Sequence, residues 1–80
     1  MAQVNDPLLV ISSLGGPFTE GGITVTISIV RLPDTRWSLE IVTAEGSSIT
    51  WDDEFATDAE AKAAFLRDVA AEGLRAITKA

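Results

Sequence analysis

Between Ile23 and Ile29 the chain alternates without a break. Ile23, Val25, Ile27 and Ile29 hold the odd positions, and Thr24, Thr26 and Ser28 hold the even ones. That period of two belongs to a β-strand with one buried and one wet face. A helix would scatter the same apolar residues around its circumference. The odd register then continues. Trp37, Leu39 and Ile41 follow a Leu32-Pro33-Asp34-Thr35 turn, in which proline presets φ and aspartate is favoured beside it. Ala44-Glu45-Gly46 reads as a three-residue hairpin loop with glycine in the left-handed position, and a third strand from Ser48 to Asp53 turns Ile49 and Trp51 inward.

The turns fix the pairing. A first turn centred on Asp34 sets Ile29 against Leu39, Ile27 against Ile41 and Arg31 against Trp37. A second loop centred on Glu45 sets Ile41 against Ile49, Leu39 against Trp51 and Trp37 against Asp53. The inner face thus has the rows Ile27/Ile41/Ile49 and Ile29/Leu39/Trp51, closed at one end by Arg31/Trp37/Asp53. A slip of one residue would expose the whole set, so the register is strongly specified.

A helix is expected after the strands. Thr57-Asp58-Ala59-Glu60 has the spacing of a capping box. The helix should run over residues 57–78, with Ala59, Ala63, Leu66, Val69, Ala70, Leu74 and Ile77 on its apolar side and Phe65 on the flank. Gly73 interrupts it, either for close approach of helix to sheet or as a kink or early cap. One apolar helix face must meet one apolar sheet face. The expected fold is therefore α+β: a two-layer domain in which a three- or four-stranded antiparallel meander (23–55) is covered on one face by a long C-terminal helix.

The residues before the meander are less regular. Leu8 to Leu14 has the caps of a short helix, with Asp6, Pro7 and Gly15 in place, but the β-branched pair Val10-Ile11 in a short apolar run favours a strand or docking arm. Gly15-Gly16-Pro17 and Gly21-Gly22 bracket what reads as a loop, in which Phe18 is the one large apolar residue. The stretch 1–22 is thus an arm and loop of a single domain spanning residues 1–80.

Composition narrows the function. At 80 residues the domain is marginal by itself, and the chain has no cysteine to provide a disulfide or thiolate metal site. Histidine is absent too, removing the commonest general base and transition-metal ligand. Association with a second copy is the remaining aid, and a homodimer is expected. The formal charge of −6 argues against a phosphate-backbone partner. Met1 to Pro7 carries no Lys or Arg, so no secretory signal is read there, and no run approaches a membrane span. A cytoplasmic, bacterial protein without membrane contact is the expectation.

Four constellations have chemical potential. The acidic run Asp52-Asp53-Glu54, with Asp58 and Glu60 beyond it, is oxygen-rich but matches no metal-binding loop; acids there suit the helix dipole, and no metal is assigned. Arg31 over Trp37 with Asp53 alongside suits closure of the core by cation–π stacking and an ion pair. The outer sheet face, with rows Val30/Ser38/Asp52, Ser28/Glu40/Thr50 and Thr26/Val42/Ser48, lacks the exposed aromatics and basic setting of a single-stranded nucleic-acid platform. Val30, Leu32, Val42 and Ala44 give it enough apolar area for a dimer. Finally, the serines have no histidine to activate them and no recognisable Ser-Lys motif, so no catalytic residue and no cofactor is assigned.

Arg36-Trp37-Ser38-Leu39, then Gly46, Ile49 and Phe55-Ala56-Thr57 leading into an Ala-rich helix, resembles the small YegP-type domains. The resemblance spans Ile27 to Ala64 and implies a βββα module with no activity to carry over. The chain departs from that pattern in its apolar N-terminal arm, its acidic run and its long C-terminal helix. The expected function is accordingly a non-enzymatic, homodimeric protein-interaction module. Its interaction surface would comprise Asp52, Asp53, Glu54 and Asp58 at the acidic edge and Glu40, Val30 and Val42 on the outer face. The alternative is a nucleic-acid-binding domain with a groove made on dimerisation.

Overall fold

A computed structural model describes residues 8–79. The proposed helix start at Asp6 and Pro7, and the reading of Met1 to Pro7 as free of a signal, lie outside them. The fold is α+β, an antiparallel sheet covered on one face by C-terminal helices. Its elements are β1 (Val10–Ile11), β2 (Gly16–Glu20), β3 (Ile23–Arg31), β4 (Ser38–Thr43), β5 (Ser48–Thr50), α1 (Asp58–Glu72) and α2 (Leu74–Thr78). The strands run in the order β1-β3-β4-β5, with β2 also paired to β3.

The central register follows the turns. Ile29 faces Leu39 and Ile27 faces Ile41 across β3 and β4, while Ile41 faces Ile49 across β4 and β5. Gly46 has φ +90°, and Thr43 N–H donates to Ser47 O at 2.8 Å to close the second hairpin. Val25, Ile27, Ile29, Leu39 and Ile41 are buried beneath Ala61, Phe65, Val69 and Leu74. Each fully buried aliphatic or aromatic side chain there contributes about 1.5–3 kcal/mol.

Three expectations are corrected. The stretch read as a loop before Ile23 is largely strand, so the sheet has five strands: Gly16–Glu20 pairs along β3, with Phe18 opposite Val25 and Glu20 opposite Ile23. Gly21 and Gly22, at φ +62° and +81°, form the two-residue turn that joins them. Positive φ at both positions matches the twist of paired strands, so the glycines make a hairpin where they seemed to mark a loop.

Secondly, the third strand stops at Thr50, and Trp37 pairs with Phe55 in place of Asp53. Trp51 N–H still donates to Leu39 O at 3.0 Å. Asp52, Asp53 and Glu54 therefore bulge out opposite the single residue Ser38. An inward carboxylate at the end of an apolar row would lose its hydration, and the bulge puts Phe55 there instead.

Thirdly, the helix is broken and turned. Gly73 adopts φ +83°, ψ +148° between α1 and α2, and an added Cβ there would meet nothing within 4 Å. Close approach is thus not its role; a backbone region open essentially to glycine alone is. The buried face of α1 is Ala61, Ala64, Phe65 and Val69, whereas Ala59, Ala63, Leu66 and Ala70 are exposed. Alanines recur all around α1, so their spacing says little about its rotation. Phe65 decides it, seated edge-on to Phe18 at 5.0 Å and to Trp51 at 5.9 Å.

The capping box forms as expected on its helix side. Thr57 Oγ1 accepts from Glu60 N–H at 3.1 Å, and Glu60 Oε1 reaches back to accept from Ala56 N–H at 3.2 Å. At the helix break, Glu20 Oε1 accepts from Leu74 N–H at 2.8 Å, tying the tip of β2 to the start of α2. Gly73→Ala is expected to lower unfolding stability by about 1–3 kcal/mol, through the backbone alone. Urea denaturation followed by circular dichroism measures this; an unchanged midpoint would show that α1 and α2 can join without cost.

Candidate functional site

The seven surface residues singled out by sequence fall into three separate places. Val30, Glu40 and Val42 share the sheet face opposite the helices, and each is half-buried by its neighbours. Val30 lies opposite Ser38, Glu40 between Ser28 and Thr50, and Val42 between Thr26 and Ser48. Two strands enlarge this face: β2, in the stretch read from sequence as a loop, and β1, in the stretch read as a strand or docking arm. β2 adds Pro17 opposite Thr26 and Thr19 opposite Thr24, and β1 adds Ile11 opposite Val30. Thr19 Oγ1 and Thr24 Oγ1 share a hydrogen bond of 2.7 Å across the first hairpin.

Asp52, Asp53 and Glu54 sit in the exposed bulge after β5. Asp58 is engaged elsewhere. Its Oδ2 accepts from Ser12 Oγ at 2.8 Å, and Ser12 Oγ itself accepts from Leu14 N–H at 3.0 Å. Lys62 Nζ donates to Leu14 O at 3.0 Å nearby. Asp58 and Lys62 thus clasp the arm to the first turns of α1, Asp58 through Ser12 and Lys62 through Leu14. No group of three or more His, Cys, Asp or Glu side chains among the described residues could hold a metal ion.

The Arg31–Trp37 contact exists, with the guanidinium carbon 5.2 Å from the ring centroid. Asp53 is absent from it because of the bulge. The guanidinium instead donates from Nη1 to Leu32 O at 3.1 Å and to Pro33 O at 2.6 Å, bracing the turn it stacks beside. Trp51 finds a polar partner that sequence spacing did not suggest. Its Nε1–H donates to Asp68 Oδ2 at 2.8 Å, joining β5 to α1.

A surface depression of ≈ 380 Å³ opens at the hairpin end of the sheet, lined by Gly22, Ile23, Thr24, Thr43, Ala44, Glu45, Ser47, Thr78 and Lys79. Thr43 Oγ1 is already used there, accepting from Ser47 N–H at 3.1 Å. The remaining hydroxyls have no histidine beside them and no oriented general base, so the depression lacks a nucleophile–base pair. No helix among the described residues is long and apolar enough to cross a membrane. No protein-family model, curated protein or solved structure matches the chain.

Loss of one clasp should be felt in stability. Asp68→Ala leaves the half-buried indole N–H of Trp51 without its charged acceptor, with an expected cost of about 1.5–3 kcal/mol. Chemical denaturation monitored by tryptophan fluorescence reads it, and a cost below about 0.5 kcal/mol would mean that water replaces the carboxylate freely.

Proposed function

We propose that this protein is a non-enzymatic, homodimeric protein-interaction module of the bacterial cytoplasm, whose outer sheet face takes a protein partner. One observation carries the reading: the sheet face opposite the helices is covered by no other described element and is nearly uncharged. Ile11, Pro17, Thr19, Thr24, Thr26, Ser28, Val30, Ser38, Val42, Ser48 and Thr50 carry no charge, and Glu40 alone among these neighbours is ionic. A face of hydroxyls and small apolar groups desolvates at modest cost, because each hydroxyl can exchange a water for a partner's polar group. A chain of net charge −6 that keeps all charge but Glu40 off this face offers a partner a surface with little of its own repulsion.

Dimerisation is supported by size. A domain of 80 residues with no disulfide gains stability, at concentrations where it associates, when association buries further apolar surface. Resemblance to YegP-type domains rests on the order β3-β4-β5-α1 and supplies no activity. The same face offers no Lys, Arg or aromatic group for phosphates or bases, which favours a protein partner over nucleic acid.

Light scattering after size exclusion, over a range of concentrations, tests the dimer, and a constant monomer mass counts against it. For the partner, capture from a bacterial lysate with the wild-type chain should enrich a protein that Val42→Lys fails to retain. Equal recovery by both would remove the outer face from the reading. Fluorescence anisotropy with single- and double-stranded oligonucleotides is expected to stay flat at low salt; saturable binding would favour the nucleic-acid alternative.

A further inference from the structure

The edges of this sheet are guarded unequally. Ser12 N–H donates to Ile29 O at 2.9 Å, which marks the odd residues of β3 as those whose backbone faces β1 and β2. Their partners are Val10 on β1 and Gly16, Phe18 and Glu20 on β2. The outward backbone positions are therefore Pro17 and Thr19 on β2, and Leu9 and Ile11 on the β1 arm. Proline has no N–H to offer, so β2 is blunted as a template for another strand. The opposite edge, β5, is three residues long and runs directly into Asp52, Asp53 and Glu54. Short length and charge protect it.

The β1 arm has no such device. Leu8, Leu9, Val10 and Ile11 include no charge, no proline and no glycine, and β1 is the terminal strand of the sheet order. Their side chains are also conspicuously wet: Leu8 is 80%, Leu9 52% and Ile11 72% exposed. Ile11 stands beside Val30 on the outer face, at the end of the sheet where Leu32 is exposed as well.

We propose that a second copy of this chain pairs antiparallel along Leu9–Ile11, with Val10 on the two-fold axis. This rests on the homodimer reading above and assigns its interface. Outward N–H and C=O groups of Leu9 meet those of Ile11 in the second copy, and reciprocally, as a two-fold requires. Leu9 and Ile11 then pack across the seam on the outer face, and the two sheets become continuous. Charge selects the occupant. Each copy carries −6, so the acidic bulges repel one another, whereas the neutral arm brings no like charges together. The seam is small, below the roughly 1,200 Å² that marks standard interfaces, so the dimer forms in a concentration-dependent way. It leaves the nearly uncharged outer face open and doubled for a partner.

Two variants test this with independent readouts. Ile11→Pro deletes the outward donor without touching the bonds from β1 to β3. It should raise the dimer dissociation constant about tenfold or more in sedimentation equilibrium, with the melting temperature nearly unchanged at concentrations where both chains are monomeric. Val10→Cys puts a single thiol per chain on the axis, where a non-hydrogen-bonded pair has Cα atoms about 4.5 Å apart, within disulfide reach. Mild oxidation should yield a covalent dimer, and Thr50→Cys, at the protected edge, should not. If Ile11→Pro dimerises like the wild type and Val10→Cys stays monomeric while Val42→Lys breaks the dimer, the copies meet face to face. In that case the edge proposal fails and the homodimer reading stands. A wild-type chain monomeric at every concentration removes both.

Discussion

Burial of the odd-numbered face of β3 and β4 under one helix is the constraint on which the rest of this domain depends. Val25, Ile29, Leu39 and Ile41 are each at most 1% exposed, and Phe65 is the side chain of α1 driven furthest among them. It is wedged edge-on between Phe18 of β2 and Trp51 after β5, so one ring gathers both margins of the sheet toward the helix. Phe65 fixes the rotation of α1 in a helix whose many alanines leave that rotation underdetermined. The break at Gly73 then redirects the chain, so that Leu74 is also buried and Ile77 packs against the core.

A helix layer this narrow cannot clamp a sheet by apolar contact alone, and polar clasps work at its margins. Ser12 with Asp58 and Leu14 with Lys62 hold the arm, Glu20 caps Leu74 at the tip of β2, and Trp51 with Asp68 holds the far side. All four join a strand margin to the helical layer. The Lys62 bond is exposed, whereas the other three are partly shielded, so each of those contributes more than its exposed equivalent without carrying the cost of a fully buried charge. Gly15 belongs to the same margin: a Cβ there would lie 2.6 Å from Ile27 O, so only glycine lets the chain pass so close to β3 between β1 and β2.

Much of this was legible from parity. The period of two in Ile23 to Ile29, with turns centred on Asp34 and Glu45, specifies the pairing of β3, β4 and β5, because a wrong register exposes every core residue at once. What escaped was information not held in local pattern. Phe18 is a lone apolar residue among glycines and reads as loop; it becomes a strand residue because Gly21 and Gly22 supply the positive φ angles of a hairpin turn. Asp53 occupies the parity position opposite Trp37, yet desolvation of a carboxylate outweighs regular pairing, and Phe55 takes the place. For the candidate surface, Val30, Glu40 and Val42 follow from alternation, whereas the use of Asp58 as a clasp for Ser12 spans 46 residues and leaves no mark in sequence spacing.

Strand pairing also explains why the two sides of the sheet differ in charge. The bulge after β5 gathers three carboxylates at one margin, where they stay hydrated and deter other strands. The opposite margin is made of an arm and a hairpin strand that must lie close to β3, with Gly15 admitting the approach and Ser12 turned into the core at 8% exposure. Val10 of the arm lies opposite Arg31 of the Arg31–Trp37 stack and Ile11 lies beside Val30 on the outer face. Leu8 to Ile11 carry no charge, and that neutrality leaves the outward backbone groups of the arm without the guard that the carboxylates give β5. One margin of the sheet thus deters a further strand, and the other has the properties of a template for one.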